Sequence, residues 1–202
     1  MLENTFLIIL VSSTIPYLIG SIPFGLIFSK LNGYGDIRKI GSGNIGATNV
    51  LRTGNKKLAL LVLICDGCKG YLSVIFVTIF LSNNYNEISL CIAIIFVIIG
   101  HCFPIWLKFK GGKGVATILG CLLALSLFLG TIILISWLLI ALIFKKSSLS
   151  SLISIFCIPL PVLILFGINL SISFYIVFLI ISFRHKENII RLLNGNEPKI
   201  FS

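Results

Sequence analysis

Residues 115–144 read VATILGCLLALSLFLGTIILISWLLIALIF, a stretch without a charged side chain. Roughly 20 helical residues cross a hydrocarbon core of about 30 Å, so this run is long for one crossing. Gly130 lies near its middle, and the pair Lys145 and Lys146 follows its end. The stretch therefore predicts two short tilted membrane helices that break near Gly130 and return the lysine pair to the side on which the run began.

The composition of the whole chain also indicates a membrane protein. Of 202 residues, 57% are hydrophobic and 11% are charged, and the mean hydropathy is +1.12. A soluble domain of this size could not bury so much apolar surface. The long uncharged runs do not alternate as barrel strands do. We predict an all-α polytopic membrane protein in which residues 1–202 form a single transmembrane helical bundle.

The first apolar run, residues 5–28, is predicted to be a retained membrane span. It follows Glu3 instead of a basic segment, and no small-residue cleavage site follows it. Both features argue against a signal peptide.

The sixteen Lys and Arg residues, which contribute to a net charge of +10, cluster by side of the membrane. Most lie in the segments 30–57, 108–113, 145–146 and 184–199, whereas the N-terminal tail and the segment 82–87 carry only Glu3 and Glu87. The positive-inside rule then places the N-terminus outside and the C-terminus in the cytoplasm. The charge is explained by topology, so we predict no nucleic-acid partner.

Seven spans satisfy every basic segment. Spans at about 5–28, 58–81 and 88–107 precede the run 115–144, and the run 149–183 would break near Gly167 and Asn169. Five spans are the alternative. Five spans would leave Lys145 and Lys146 outside. They would avoid dividing each long run into two helices of about 15 residues, which at roughly 22 Å are short for a membrane crossing.

Residues 41–50 read GSGNIGATNV and have the composition of a phosphate-binding loop. Glycines let backbone N–H groups approach an anion, while hydroxyl and amide side chains add hydrogen-bond donors. Arg38, Lys39 and Arg52 supply positive charge. The match of this loop to a dinucleotide-binding fingerprint is interpreted as accidental, because Tyr34–Ile40 is polar and no buried strand precedes it.

Asp66 and Lys69 lie about nine and twelve residues into an apolar run, where charges are expensive. At this spacing they can pair on one helix face. Two interpretations stay open: a structural ion pair, or a lysine that reaches toward an anionic ligand.

The two histidines, His101 and His185, both lie beside basic segments. Anchoring of anionic lipid heads alone would explain the lysines but not the glycines, asparagines, serines and threonines nearby. Cys65 and Cys68 have no second pair, and the two histidines and six acidic residues form no spaced cluster. We therefore predict no metal and no cofactor.

Three segments together resemble a known family. They are residues 41–52 (GSGNIGATNVLR), residues 66–70 (DGCKG) and residues 100–117 (GHCFPIWLKFKGGKGVAT). In order and spacing they resemble the loop motifs of the acyl-phosphate:glycerol-3-phosphate acyltransferases of the PlsY type. Arg184, His185, Asn188, Arg191 and Glu197 resemble the C-terminal segment of that family.

The resemblance implies a seven-helix enzyme of the bacterial plasma membrane with cytoplasmic active-site loops at 30–57, 108–114 and 184–202. It would transfer a fatty acyl group from acyl phosphate to the 1-hydroxyl of sn-glycerol 3-phosphate and release lysophosphatidate and phosphate, which is the first acylation of phospholipid synthesis. A functional link to an enzyme that forms acyl phosphate follows. The implied catalytic residues are His185, Asn188, Lys113 and Ser42. The implied substrate and phosphate contacts are Gly41, Ser42, Gly43, Asn44, Thr48, Asn49, Arg52, Lys69, Gly70, His101, Gly111, Gly112, Lys113, Gly114 and Arg191.

An acyl phosphate is already activated, so positioning and charge neutralisation favour direct attack by the hydroxyl. No Ser-His-Asp order or lipase-type elbow indicates a covalent intermediate. His185 or an oxygen of the substrate phosphate would take the hydroxyl proton. The alternatives are a transporter for a phosphorylated solute and an acyltransferase that uses acyl-CoA or acyl carrier protein.

Overall fold

The computed structural model describes residues 2–81 and 86–200, and within them all regular structure is helical. Short single-turn helices at Ile37–Lys39 and Ile105–Leu107 interrupt the loops. The eleven α-helices are α1 (Leu2–Gly20), α2 (Phe24–Leu31), α3 (Ala47–Leu51), α4 (Lys56–Phe80), α5 (Asn86–Cys102), α6 (Val115–Leu125), α7 (Leu127–Phe144), α8 (Ser147–Phe156), α9 (Pro159–Phe166), α10 (Ile168–Arg184) and α11 (Lys186–Leu193).

Five helical segments of the described chain are long and apolar enough to cross a membrane, which confirms an all-helical membrane protein. They are Thr5–Leu31, Lys56–Phe80, Glu87–Leu107, Leu127–Phe144 and Ser147–Phe166. Helices α10 and α11 form a further apolar pair, bent by 66° at His185, and α6 is a shorter apolar helix of 11 residues. The predicted outer loop at 82–87 falls mostly outside the described residues, as does the side chain of Glu3.

Helix α4 begins where Asn55 caps it: the Asn55 side chain accepts a hydrogen bond from the Leu58 N–H at 2.9 Å. The helix continues for 25 residues, about 37 Å, and exposes leucines and isoleucines such as Leu60 and Ile64 on one face. Lipid tails are as apolar as these side chains, so contact with lipid carries no free-energy penalty.

The predicted break near Gly130 is wrong by four residues. The chain turns at Ser126, whose backbone is extended and whose hydroxyl accepts a hydrogen bond from the Leu129 N–H at 3.2 Å. Serine caps a helix start well, so the break falls there. Gly130 lies inside α7, where a Cβ atom would collide with Leu123. The break predicted near Gly167 is confirmed, since Gly167 has φ +90° between α9 and α10.

Glycines allow the central helices to pack at close range. A Cβ on Gly70 of α4 would collide with the carbonyl oxygen of Thr117 in α6, and one on Gly120 with the carbonyl oxygen of Gly67. Small residues permit this approach in membrane bundles. Gly70 is therefore a packing residue between α4 and α6, and its predicted substrate contact stays a prediction.

The loop between α2 and α4 rests on its own apolar cluster. Ile37 and Val50 are fully buried and pack with Leu26, Ile45 and Val62 of α4. This support holds the glycine-rich loop against the end of the bundle, where the polar side chains gather.

Candidate active site

Polar segments that are distant in sequence meet at one cavity of about 410 Å³. Its polar lining comes from the loop of residues 42–52, the start of α6, the corner between α10 and α11, and residues 197–200. Along α6 the lining continues from Val115 to Leu122, about 10 Å of helix rise. That deeper part is apolar and lies between α4, α6, α7 and α8. Its lining there includes Leu60, Leu63, Ile118, Leu119, Leu122, Ile133, Leu134 and Leu138.

Asn49 organises the glycine-rich loop. Its side chain is buried, and its amide oxygen accepts hydrogen bonds from the backbone N–H and the hydroxyl of Ser42 at 2.9 and 3.2 Å. Its amide nitrogen donates to the carbonyl oxygens of Ile37, Ile40 and Asn44 at 2.8–3.0 Å. Both amide hydrogens are thus engaged within the loop. Asn49 shapes the loop and holds Ser42 at the cavity, and its phosphate contact stays a prediction.

Gly41 lets Arg52 lie against this loop. Its φ is +56°, and a Cβ there would meet the amide oxygen of Asn49 and the side chain of Arg52. Arg52 and Thr48 are exposed and border the cavity. The Thr48 hydroxyl lies 3.3 Å from the hydroxyl of Ser147 at the start of α8.

The turn of residues 111–114 folds back on the end of α5. The N–H of Gly112 donates to the His101 carbonyl oxygen at 3.0 Å, and a Cβ on Gly112 would collide with the His101 ring. The turn ends at Gly114, with φ +83°, directly before α6. Only glycines permit this close packing and this backbone conformation together.

Arg184 holds the same turn from the opposite side. Its guanidinium donates to the carbonyl oxygens of Gly111 and Gly112 at 2.8 and 3.0 Å, and it lies over the ring of Phe103. Arg184 ends α10 and precedes His185. The contact therefore joins the turn that carries Lys113 to the corner between α10 and α11, where His185 lies.

A chain of hydrogen bonds joins Lys113 to the C-terminal segment. The Lys113 ammonium donates to the Asn188 amide oxygen at 2.5 Å, and the Asn188 amide nitrogen donates to Glu197 Oε1 at 2.6 Å. Glu197 also accepts from the Ser148 hydroxyl at 2.6 Å and from Arg191 Nε at 2.8 Å. Burial alone would raise the pKa of Glu197, but these three hydrogen bonds outweigh burial and lower it. The carboxylate is therefore ionised and holds Ser148, Asn188 and Arg191 in place.

Burial lowers the pKa of Lys113 to about 8, although the Glu197 carboxylate opposes the shift. Burial, with the Lys113 charge as the second cause, also lowers the pKa of His185 to about 4. His185 is therefore neutral at pH 7. Its Nδ1 lies 2.8 Å from the Ile181 carbonyl oxygen, so Nδ1 carries the proton and Nε2 is left as an acceptor.

Lys69 does not border the cavity. Its ammonium lies 2.7 Å from the Asp66 carboxylate, 3.2 Å from the Gly20 carbonyl oxygen and 3.3 Å from His101 Nδ1. The Thr117 hydroxyl lies 3.3 Å from the same ring nitrogen. Lys69 is 2% exposed. The structure thus supports the ion-pair interpretation, in which Lys69 ties α4 to α1 and α5, and not the ligand interpretation.

The structure brings most of the sequence-predicted site residues together. Those that border the cavity are Ser42, Asn44, Thr48, Asn49, Arg52, His101, Lys113, Gly114, His185, Asn188 and Arg191. Those that do not border it are Gly41, Gly43, Lys69, Gly70, Gly111 and Gly112. The glycines of this second group shape the loop, the turn or the helix packing.

Sequence reasoning missed one wall of the cavity. Ser147, Ser148, Ser151 and Ser154 of α8 all border it, and Trp137 donates its indole N–H to the Ser151 hydroxyl at 3.0 Å. The spacing of these serines within an apolar run is that of one helix face, which was the available signal. Arg184, which resembles the family's C-terminal segment, was not predicted as a site residue.

Fold and site together define a multi-pass membrane protein with a cavity that is bordered by lysines and arginines and continues into an apolar groove. A sequence model of the family described as glycerol-3-phosphate acyltransferase matches residues 9–195. The glycerol-3-phosphate acyltransferase of Ehrlichia canis is 49% identical over 91% of this chain and 94% of its own length. That of Pelagibacter ubique is 48% identical over 96% of this chain and 97% of its own length.

A solved structure resembles this fold closely. The crystal structure of PlsY, an integral membrane glycerol 3-phosphate acyltransferase in its glycerol 3-phosphate form, has a TM-score of 0.88 and 35% sequence identity, covering 95% of this chain and 94% of PlsY. The form of PlsY with lysophosphatidic acid has a TM-score of 0.85. The chain belongs to the glycerol-3-phosphate acyltransferase family and is an integral protein of the bacterial inner membrane.

Proposed function

We propose that this protein transfers a fatty acyl group from acyl phosphate to the 1-hydroxyl of sn-glycerol 3-phosphate. The products are lysophosphatidate and inorganic phosphate, and the reaction begins phospholipid synthesis. The observation that carries the proposal is the cavity, in which Arg52, Lys113 and Arg191 border the polar end and leucines of α4 and α6 line the deeper end. Two phosphorylated reactants, one with a fatty tail, require this combination.

The donor assignment rests on the chemistry of the lining. An acyl phosphate carries a good leaving group, so it needs cations and hydrogen-bond donors rather than a covalent nucleophile. Among the described residues, the cavity is bordered by five lysine and arginine side chains, Arg52, Lys56, Lys113, Arg191 and Lys199, and by several hydroxyl groups. The phosphate-bearing ligands in the two PlsY structures, glycerol 3-phosphate and lysophosphatidic acid, are the acceptor and the product of this reaction.

The lining residues divide into three roles. The loop of residues 41–52 would hold a phosphate through the Ser42 hydroxyl, backbone N–H groups and Arg52. Lys113 and Arg191 would neutralise the second phosphate, and His185 and Asn188 would border the reacting hydroxyl. Asn49, Gly111 and Gly112 support these groups from behind.

In the reaction, the hydroxyl oxygen of the acceptor attacks the acyl carbonyl carbon. The bond between that carbon and the phosphate oxygen then breaks, and phosphate leaves with the bonding electrons. The hydroxyl proton passes to His185 Nε2 or to an oxygen of the substrate phosphate. Lys113 balances charge on the tetrahedral intermediate and on the leaving phosphate. The low pKa of His185 makes it a weak base, which supports the substrate-assisted route.

The proposed topology has seven spans, with the N-terminus outside and the loops 30–57, 108–114 and 184–202 in the cytoplasm. It adds α6 and α10 to the five long helices. Two contacts support it: the Thr48 hydroxyl lies 3.3 Å from that of Ser147, and the Ile200 N–H donates to the Lys145 carbonyl oxygen at 2.8 Å. Both contacts join residues 145–147, which follow α7, to two other basic segments, and this supports seven spans over five.

Cysteine labelling tests this topology. In a chain whose six cysteines are replaced, single cysteines at Asn44 and Lys146 should react with an impermeant reagent from the same side of inverted vesicles. Reaction of the two positions from opposite sides would contradict the topology and the shared cavity.

Donor exchange tests the reaction. Purified protein with acyl phosphate and glycerol 3-phosphate should release phosphate and lysophosphatidate in equal amounts, and Lys113→Ala should lose this activity. Acyl-CoA and acyl carrier protein should give no product. Comparable turnover with either thioester would contradict the donor assignment, and phosphate uptake without product would indicate a transporter. Because acyl phosphates hydrolyse readily, we also propose that a reaction forming the acyl phosphate operates close to this protein.

A further inference from the structure

We propose that residues 104–110, here called the interfacial finger, insert into the headgroup layer of the membrane and bind anionic phospholipid. The finger connects α5 to the turn of residues 111–114 and is a compact structure of its own. The N–H groups of Leu107 and Phe109 donate to the Pro104 carbonyl oxygen at 3.1 and 3.0 Å, and that of Lys110 donates to the Leu107 carbonyl oxygen at 3.1 Å.

The backbone of the finger is strained at two adjacent residues. Lys108 and Phe109 have φ values of +51° and +61°, a left-handed conformation that residues other than glycine rarely adopt. Strain of this kind is concentrated at functional positions of proteins. Here the finger presents three large apolar side chains, Ile105, Trp106 and Phe109, which are 57%, 50% and 57% exposed.

Trp106 has the environment of an interfacial tryptophan. Its indole N–H donates to the Ser21 carbonyl oxygen at 2.6 Å, so its polar group is satisfied by the protein while half of the residue stays exposed. Tryptophan is enriched at membrane interfaces because it joins an apolar ring to one hydrogen-bond donor. The contact also fixes the finger to the junction between α1 and α2.

The charges of the finger indicate which partner it binds. Lys108 and Lys110 are exposed on either side of Phe109. Lysines at this depth extend their ammonium groups to lipid phosphates, and each contributes attraction to an anionic surface. The apolar span of α5 continues to Leu107, so the finger lies where the span leaves the membrane. A lipid surface therefore fits it better than a water-soluble protein.

The finger leads directly into the turn that carries Lys113. Anchoring the finger in the headgroup layer would set the depth of Lys113 and keep the cavity at the lipid surface. This inference does not depend on which acyl donor the protein uses.

Fluorescence quenching tests the depth of the finger. Trp106 and Trp137 are the two tryptophans of the chain. The variant Trp137→Phe, reconstituted in bilayers, reports Trp106 alone. We expect strong quenching by phospholipid brominated near the headgroup and weak quenching by phospholipid brominated near the chain end. Trp106→Phe is the matched control, since Trp137 lies within α7 and should respond more to deep bromine.

Lipid charge tests the partner. In bilayers of mixed phosphatidylglycerol and phosphatidylcholine, brominated phosphatidylglycerol should quench Trp106 more than brominated phosphatidylcholine, with a preference of up to about fivefold per lysine. The double variant Lys108→Gln/Lys110→Gln should abolish the preference, and Lys57→Gln should retain it. Equal quenching by both lipids, or quenching of Trp106 only by acrylamide in water, would overturn the proposal. The second result would assign the finger to a soluble partner.

Discussion

The Lys113 ammonium donates a hydrogen bond to the amide oxygen of Asn188 at 2.5 Å, although the two residues lie 75 positions apart. Asn188 is in turn fixed by its hydrogen bond to Glu197 at 2.6 Å. The position of the Lys113 charge therefore depends on the C-terminal segment as well as on its own glycine turn. We therefore expect loss of Asn188 to affect the reaction through Lys113.

We expect Asn188→Ala to lower kcat by about 100-fold or more, because Lys113 loses the partner that aims it at developing negative charge. The measurement is phosphate release by purified protein, with thermal unfolding as a check on folding. Asn196→Ala, on an exposed residue of the same segment, should keep normal activity. A kcat within twofold of the parent would contradict the role of Asn188.

The pKa of Lys113, lowered by burial to about 8, predicts a pH dependence for anion binding. The lysine is charged below this pKa and loses its charge as pH rises through it. The apparent affinity for the phosphorylated substrates should therefore fall above about pH 8. In Lys113→Arg the charge persists to higher pH, so this decline should disappear even if turnover is reduced. If the apparent affinity still falls above about pH 8 in this variant, a group other than Lys113 causes the fall.

Arg184 should act as a positioning residue for the turn of residues 111–114. Its two hydrogen bonds to carbonyl oxygens require the forked guanidinium, which lysine cannot reproduce. We expect Arg184→Lys to lower kcat about tenfold and Arg184→Gln to lower it further, with a smaller change in KM. Lys186→Gln, two residues further along the chain and exposed, is the control. Full activity of Arg184→Gln would show that the turn keeps its conformation without Arg184.

The buried pair of Asp66 and Lys69 predicts a stability effect that depends on the partner. Lys69→Met leaves the Asp66 carboxylate buried without its counter-charge and should cost about 3–5 kcal/mol of unfolding free energy. Asp66→Asn with Lys69→Met should recover much of that loss. Unfolding in detergent measures both. Folded Lys69→Met should keep its KM within about twofold, because Lys69 does not border the cavity. A large increase in KM would restore the ligand interpretation.

Two neighbouring glycines of α4 should respond differently to alanine. In Gly70→Ala the new Cβ collides with the Thr117 carbonyl oxygen, a backbone atom that cannot move alone, so α4 and α6 must separate. In Gly67→Ala the nearest atom is the Ala116 carbonyl oxygen at 3.6 Å, an ordinary contact. We expect Gly70→Ala to lower the unfolding temperature and Gly67→Ala to leave it nearly unchanged. Equal effects would show that the close approach at Gly70 is not needed.

Much of the architecture could be predicted from the chain alone. Membrane insertion depends on hydropathy summed along a segment, and the side of each loop depends on where lysine and arginine fall, so both are local properties of the sequence. The break at Gly167 was predicted from local sequence. The break at Ser126 was missed because glycine is the stronger helix-breaking signal. Gly130 instead lies inside α7 and permits close packing against Leu123.

The motifs likewise identified the segments of the site but not the role of each residue. Asn49 and Lys69 carry polar groups that suit a phosphate, yet the fold engages them with neighbouring carbonyl oxygens and with Asp66. Conversely, the serines of α8 border the cavity only because α8 packs beside α7 and the glycine-rich loop. A side chain whose donors and acceptors are engaged by the fold has fewer of them left for a ligand, and which partner engages them depends on distances between segments that are remote in sequence.

The amino-acid sequence by itself therefore determined a helical membrane protein with basic loops and the chemistry of an anion site. Only the tertiary structure decided which cations and hydroxyls face the cavity and which are consumed in holding it together. The physical reason is that hydropathy and charge act along the chain, whereas hydrogen bonds and close packing require atoms from different helices to meet at fixed distances.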